Sequence, residues 1–169
     1  MNEYVILVDE QDQVIGKMEK LEAHEKGVLH RAFSVFVFNS QKELLLQQRA
    51  ASKYHCPLLW TNTCCSHPRE NEDNLDAANR RLSEEMGMSA PLQHTFQFIY
   101  RAEFSNGLIE HELDHVFIGT SDRKPAINPE EVNDFKFVSC DWIIKDMDQN
   151  PNHYTPWFKI ALPLVLEKL

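Results

Sequence analysis

The sequence predicts a single α/β domain over residues 1–169. A length of 169 residues suits one hydrophobic core and is short for two. Hydrophobic residues at 43% and charged residues at 25% describe a folded globular chain rather than a disordered or fibrous one. Short apolar runs bounded by turn residues alternate with segments of helical periodicity, and no repeat, linker or low-complexity tract interrupts them.

YVILV (4–8) and VIGKMEK (14–20) read as strands around a DEQDQ turn, and LEAHEKG as a helical turn ended by Gly27. RAFSVFVF, NSQKE and LLLQQR read as a hairpin, with Phe36 and Phe38 on one face and Val35 and Val37 on the other. Both faces are apolar, so the sheet is expected to be covered on both sides. Residues 50–60 form a loop leading to TNTCCSHP. EDNLDAANRRLSEEMG is the strongest helix, because Leu75, Ala78, Leu82 and Met86 recur at helical spacing and Gly87 suits its end. TFQFIYRAEF and LIEHELDHVFIGT flank Ser105-Asn106-Gly107 as a second hairpin. FKFVS adds a strand, and the last helices follow Asp141 and Pro156.

Lys and Arg number 17 against 26 Asp and Glu, a formal net charge of −9 that disfavours nucleic acid and anionic lipid as partners. An anionic ligand would need a local basic cluster or a bound cation. The opening residues, MNEYVILVDEQD, lack a basic leader and an unbroken apolar core, and no run approaches the roughly 20 apolar residues of a membrane span. Cys56, Cys64, Cys65 and Cys140 form no CxxC pair, which argues against a zinc ribbon or a disulfide framework. The expectation is a cytoplasmic protein with reduced thiols, acting on a small molecule as a monomer.

Within the strongest helix, Arg80 and Arg81 each precede an acid, Glu84 or Glu85, by four residues. Taken alone, that is a solvated face laced with ion pairs. The wider frame adds more. Residues 66–88, SHPRENEDNLDAANRRLSEEMGM, resemble the Nudix box G-x5-E-x7-R-E-U-x-E-E-x-G-U, where U is aliphatic. Glu72, Arg80, Leu82, Glu84, Glu85, Gly87 and Met88 fall in register, while Ser66 replaces the first Gly and Arg81 replaces a Glu. In Nudix hydrolases the helix carboxylates hold magnesium against a diphosphate while water is activated. Arg in place of one of them removes a metal ligand and adds a phosphate binder, so the helix is expected to grip a diphosphate without cutting it.

TNTCCSHP (61–68) resembles the cysteine motif of the type 1 isopentenyl-diphosphate isomerases, which have a Nudix-like fold with a mixed sheet sandwiched between helices. KLEAH, LHRAFSVFVFN, WTNTCCSHP, FIYRAEF, IEHELDHVF and YTPWF resemble segments of that family in the same order, across essentially the whole chain. The resemblance implies movement of the double bond of a five-carbon diphosphate, which needs one proton delivered to a terminal alkene carbon and another removed from C2. It makes Cys65 and Glu112 the proton-transfer pair, Tyr100 a proton relay beside Glu112, and Trp157 an indole face for positive charge at C3. A free thiol has a pKa of about 8.5, so Cys65 is expected to act as a thiolate near His67 and a cation.

The same resemblance gathers His24, His30, His67, Glu110 and Glu112 into one site for a divalent transition metal, manganese or zinc. Glu110 and Glu112 share a strand face, whereas His111 and His115 point the other way. Lys20, Arg49, Lys53 and Arg81 are implied as diphosphate binders, with magnesium bridging Glu85 to the substrate. A Nudix hydrolase of nucleoside or other diphosphates is the alternative that Arg81 argues against. A metal-binding interaction module is a third, and it leaves the basic residues and the box unexplained.

Overall fold

In the computed structural model, which describes residues 3–169, a mixed nine-stranded sheet carries helices on both faces. The elements in order are β1 (Tyr4–Val8), β2 (Val14–Glu19), α1 (Lys20–Lys26), β3 (His30–Phe38), β4 (Glu43–Arg49), β5 (Trp60–Thr61) and β6 (Cys64–Ser66). They continue with α2 (Asn74–Met86), β7 (Leu92–Glu103), β8 (Ile109–Thr120), β9 (Val132–Ser139), α3 (Cys140–Gln149) and α4 (Pro156–Leu166). The expected strand and helix segments are all present. Lys20 opens a helix instead of closing a strand, and Ser139 caps α3 two residues before the expected Asp141, its hydroxyl accepting from Trp142 N.

The strand β3 organises the sheet. One edge runs parallel to β8, from His30 beside Glu112 to Phe38 beside Thr120. Its other edge meets β1 at Leu7, β6 over Phe33–Val35 and β4 only at Phe38. The expected β3–β4 hairpin is therefore closed at its turn and open below it, with β4 pairing along its length with β9. Thr63 fills the opening. Its hydroxyl accepts from Val37 N at 2.9 Å and donates to Leu45 O at 2.7 Å, and Gln47 Nε2 donates to Thr63 O at 2.8 Å. Backbone groups that a regular hairpin would pair with each other are satisfied by the inserted segment instead, and this seats the two adjacent cysteines against β3.

Alternation along β3 separates two cores. Phe36 and Phe38 pack with Val116, Ile143, Trp157 and Phe158, under α3 and α4. Phe33, Val35 and Val37 pack with Ala77, Ala78, Leu82 and Met86 of α2. Leu75 is not part of that stripe: it sits in the first turn of α2, 38% exposed, and Ala77 takes the buried place. Gly87 ends α2 at φ 57°, and a Cβ there would lie 2.2 Å from Ala126 O, so only glycine fits. Among the described residues no helix is long and apolar enough to cross a membrane.

Candidate functional site

Alternation along β8 turns Glu110, Glu112 and Asp114 to one sheet face, and all three are buried. Three carboxylates in a row are electrostatically unfavourable without partners, and each has a different set. Glu112 Oε2 lies 2.6 Å from His67 Nε2 and 3.1 Å from His30 Nε2. Its other oxygen accepts from the Tyr100 hydroxyl, which also lies 2.7 Å from Glu110 Oε2. Glu110 Oε1 is 2.6 Å from His55 Nε2 and 3.9 Å from His24 Nε2. Asp114 Oδ2 accepts from the Ser34 hydroxyl at 2.7 Å, while Oδ1 is buried without a partner.

The imidazoles are set for a cation. His24 Nδ1 is 2.8 Å from Lys20 O and His30 Nδ1 is 2.8 Å from Val28 O, so both Nδ1 atoms donate and both Nε2 atoms face inward; burial opposes charge on His30, but the contact of its Nε2 with Glu112 raises its pKa overall. His24 Nε2 is buried with no hydrogen-bond partner. Burial, reinforced by His67, brings the His24 pKa down to about 4, and burial also lowers that of His67. Neutral imidazole is the ligand form. One potential ligand atom from each of His24, His30, His67 and Glu112 falls within 4.8 Å of all the others, a group able to hold a metal ion. Glu110 stands beside this group rather than in it.

Burial opposes charge on Glu112, yet His30 and His67 hold its carboxyl well below the usual range. Burial and the two glutamates push Tyr100 well above a normal phenol, so it remains a donor. Burial opposes the expected thiolate at Cys65 and pushes its pKa up; Arg49 acts against this, while Glu85, Glu110 and Glu112 add to it. Cys65 pairs with Ser34 on the β6 edge of β3, whereas Glu112 pairs with His30 on the β8 edge. Both line one cavity of about 260 Å³, together with Lys20, Arg49, Lys53, Arg81, Glu85 and Trp157.

The four expected anion binders thus converge, but three are already in ion pairs. Lys20 Nζ contacts Glu3 at 3.1 Å, Lys53 contacts Glu131, and Arg81 spans Glu84 at 2.7 Å, Glu131 at 3.2 Å and Glu85 at 3.5 Å. Only Arg49 has no acidic partner among the described residues. Its guanidinium lies 5.2 Å from the Trp157 ring, Nη2 donates to His55 O at 3.3 Å, and Nε is unpartnered. Glu85 Oε2 is also buried and free, and burial raises its pKa against Arg81 and Lys53. Sequence reasoning missed two groups here, His55 and Asp114. The position of Asp114 two residues after Glu112 was the available signal for one; for His55 it was a place two residues after Lys53.

A NUDIX domain family model matches residues 28–158. The chain is 51% identical over 166 residues to isopentenyl-diphosphate Delta-isomerase 2 of Aromatoleum aromaticum, covering 98% of this chain and 88% of that one. It is 53% identical over 157 residues to an isopentenyl-diphosphate Delta-isomerase of Pectobacterium atrosepticum, covering 93% and 88%. Among solved structures it resembles DR0079 of Deinococcus radiodurans, with a TM-score of 0.72 at 19% identity over 87% of this chain and 90% of that one. It also resembles a MutT NUDIX hydrolase of Burkholderia pseudomallei, with a TM-score of 0.61 at 17% identity over 83% and 98%. At such identities the structural likeness speaks for the fold alone.

Proposed function

The chain belongs to the isopentenyl-diphosphate Delta-isomerase family within the NUDIX fold, and from that premise we propose how its residues divide the work. The reaction converts isopentenyl diphosphate to dimethylallyl diphosphate, moving one C=C bond with no net change in atoms. The observation that carries the assignment is the convergence of Cys65 and Glu112, the latter bonded to Tyr100 behind it, on one cavity from the two edges of β3.

In this reading Cys65 and Glu112 exchange protons with C2 and the terminal carbon, one group on each side of the alkene. Tyr100 holds the proton that passes to and from Glu112. Trp157, buried at the cavity wall, offers its π face to the positive charge that develops at C3 and excludes water that would capture it. Arg49, Lys53, Lys20 and Arg81 bind the diphosphate, the last three by exchanging acidic side chains for phosphate oxygens. Each pair so exchanged is within reach of solvent, with Glu3 and Glu131 as the displaced partners.

His24, His30, His67, Glu110 and Glu112 are the proposed holders of a transition metal, manganese or zinc, and Glu85 of a magnesium ion that arrives with substrate. When bound, these cations supply positive charge that orients the carboxylates and neutralises the diphosphate. The chain is taken as a cytoplasmic monomer. All four cysteines are free, in keeping with reduced thiols.

Incubation with isopentenyl diphosphate and, separately, with a panel of nucleoside diphosphates tests the proposal. Dimethylallyl diphosphate and no released phosphate is the expected result. Phosphate release from the nucleotides alone would move the chain to the hydrolases, and neither product with metal bound would leave an interaction module.

A further inference from the structure

The two glutamates of the proposed metal site are not equally supported. Glu112 is held at one oxygen by His30 and His67 and at the other by Tyr100. Glu110 shares Tyr100 at Oε2, but its Oε1 lies outside the closed ligand group, 3.9 Å from His24 Nε2 and closer, at 2.6 Å, to His55 Nε2. From the geometry we infer that His55 is a positioning residue that sets the direction of the Glu110 carboxylate and so completes the metal site from outside it. This rests on the reading of His24, His30, His67, Glu110 and Glu112 as a metal centre.

Three observations carry it. The His55 ring is 8% exposed and packed among Tyr54 at 4.6 Å, Phe104 at 5.2 Å and Trp157 at 5.9 Å between ring centroids, so its orientation is fixed by apolar neighbours. Its Nδ1 is buried without a partner, which leaves the Nε2 contact with Glu110 as the polar interaction that justifies burying an imidazole there. The group whose ligand atoms close on one point contains three histidines and Glu112 but not His55. A carboxylate buried beside that group, with its oxygens shared between a phenol and an imidazole, is oriented by those partners, as outer residues orient metal ligands in general.

The position has a second consequence. The His55 carbonyl accepts from Arg49 Nη2 at 3.3 Å, and Lys53 lies two residues earlier, so one short segment links the Glu110 carboxylate to the diphosphate-binding cations. A change at His55 is therefore felt first in metal affinity and only then in substrate affinity.

The test uses the full chain stripped of metal, with zinc alone as probe, titrated in competition with a chelating dye. Wild type, His67→Ala, His55→Gln and His55→Asn are compared, and melting of each metal-free protein reports on the fold. The glutamine amide reaches the place of Nε2, whereas that of asparagine falls short of Glu110. We expect His55→Asn to weaken zinc binding by about 10- to 100-fold, the range for lost outer partners. His55→Gln should recover most of that loss, and the metal-free melting temperatures of the two should agree. Adding His55→Asn to Glu110→Gln should cost little beyond Glu110→Gln alone, since His55 acts only through that carboxylate. Wild-type affinity in His55→Asn, equal losses in Gln and Asn variants, or additive effects with Glu110→Gln would overturn the inference. If wild type binds zinc no better than His67→Ala, the metal centre itself fails and the inference with it.

Discussion

Tyr100 and Glu112 are directly opposed across the β7–β8 ladder, and the phenol touches not only Glu112 but also Glu110 two residues away. A phenol has one proton and two carboxylates claim it. The hydroxyl can therefore satisfy only one of them at a time, and moving that proton between them requires no motion of the chain. Tyr100→Phe should leave zinc bound, because no histidine is disturbed, and should lower kcat by about 100-fold, the low end for a lost proton-transfer group. Unchanged kcat with a raised KM would make Tyr100 a binding residue only.

The adjacent cysteines divide between the two sides of the sheet. Cys64 is fully buried in the α2 core, while Cys65 is half-buried and lines the cavity. An alkylating analogue of the substrate should modify Cys65 and spare Cys64, with peptide mapping as the readout. Cys64→Ala should keep most activity. Preferential modification of Cys64 would invert the assignment.

These features were legible in the sequence to different depths. Alternation of Phe36 and Val37, the αL glycines at Gly27 and Gly87, and the shared face of Glu110 and Glu112 are local consequences of backbone geometry, and each is present. The parallel pairing of β3 with β8 and the insertion at Thr63 depend on segments far apart in the chain, where no local pattern selects the partner. The same holds for His55, which sits in an irregular loop with no periodicity to mark it. The burial that raises the Cys65 pKa was also illegible, since it comes from distant residues.

Arg81 sits where a metal-binding Glu stands in the Nudix box, and its guanidinium holds three carboxylates, Glu84, Glu85 and Glu131. Arg81→Glu removes that cation and adds a fourth acid. A lost charge-assisted contact is worth about 1.5–3 kcal/mol, or roughly 10- to 100-fold in KM for isopentenyl diphosphate. Little or no nucleotide hydrolysis should appear, and the variant should also melt lower. Gain of efficient hydrolysis would mean that Arg81 alone separates the two chemistries.

His115 provides a pH prediction away from the cavity. Burial lowers its pKa, Asp12 opposes that at 2.9 Å, and His94 and Arg31 add to the lowering. With a folded pKa below the unfolded value near 6.5, the folded state binds fewer protons as pH falls, so the contribution of His115 is complete above that value and is lost below it. His115→Gln should flatten the decline in stability between about pH 7 and pH 5 relative to wild type, read by urea unfolding of the metal-free proteins. Parallel declines would show that another group carries the acid sensitivity.

The last prediction concerns which group serves which carbon. Tyr100 is a proton donor beside a carboxylate held ionised by His30 and His67, which gives Glu112 a route to deliver a proton to the terminal carbon. Cys65 then takes the C2 proton as the thiolate, a form that burial opposes and that the neighbouring Arg49 cation favours. In deuterium oxide, Cys65→Ala should retain the first step alone. Deuterium should enter the terminal methylene of recovered isopentenyl diphosphate, through protonation and return, while little dimethylallyl diphosphate forms. Glu112→Gln should stop both exchange and turnover, provided metal analysis finds the site still loaded. If Cys65→Ala shows no exchange and metal-loaded Glu112→Gln still exchanges, the terminal carbon belongs to Cys65 and the two roles are reversed.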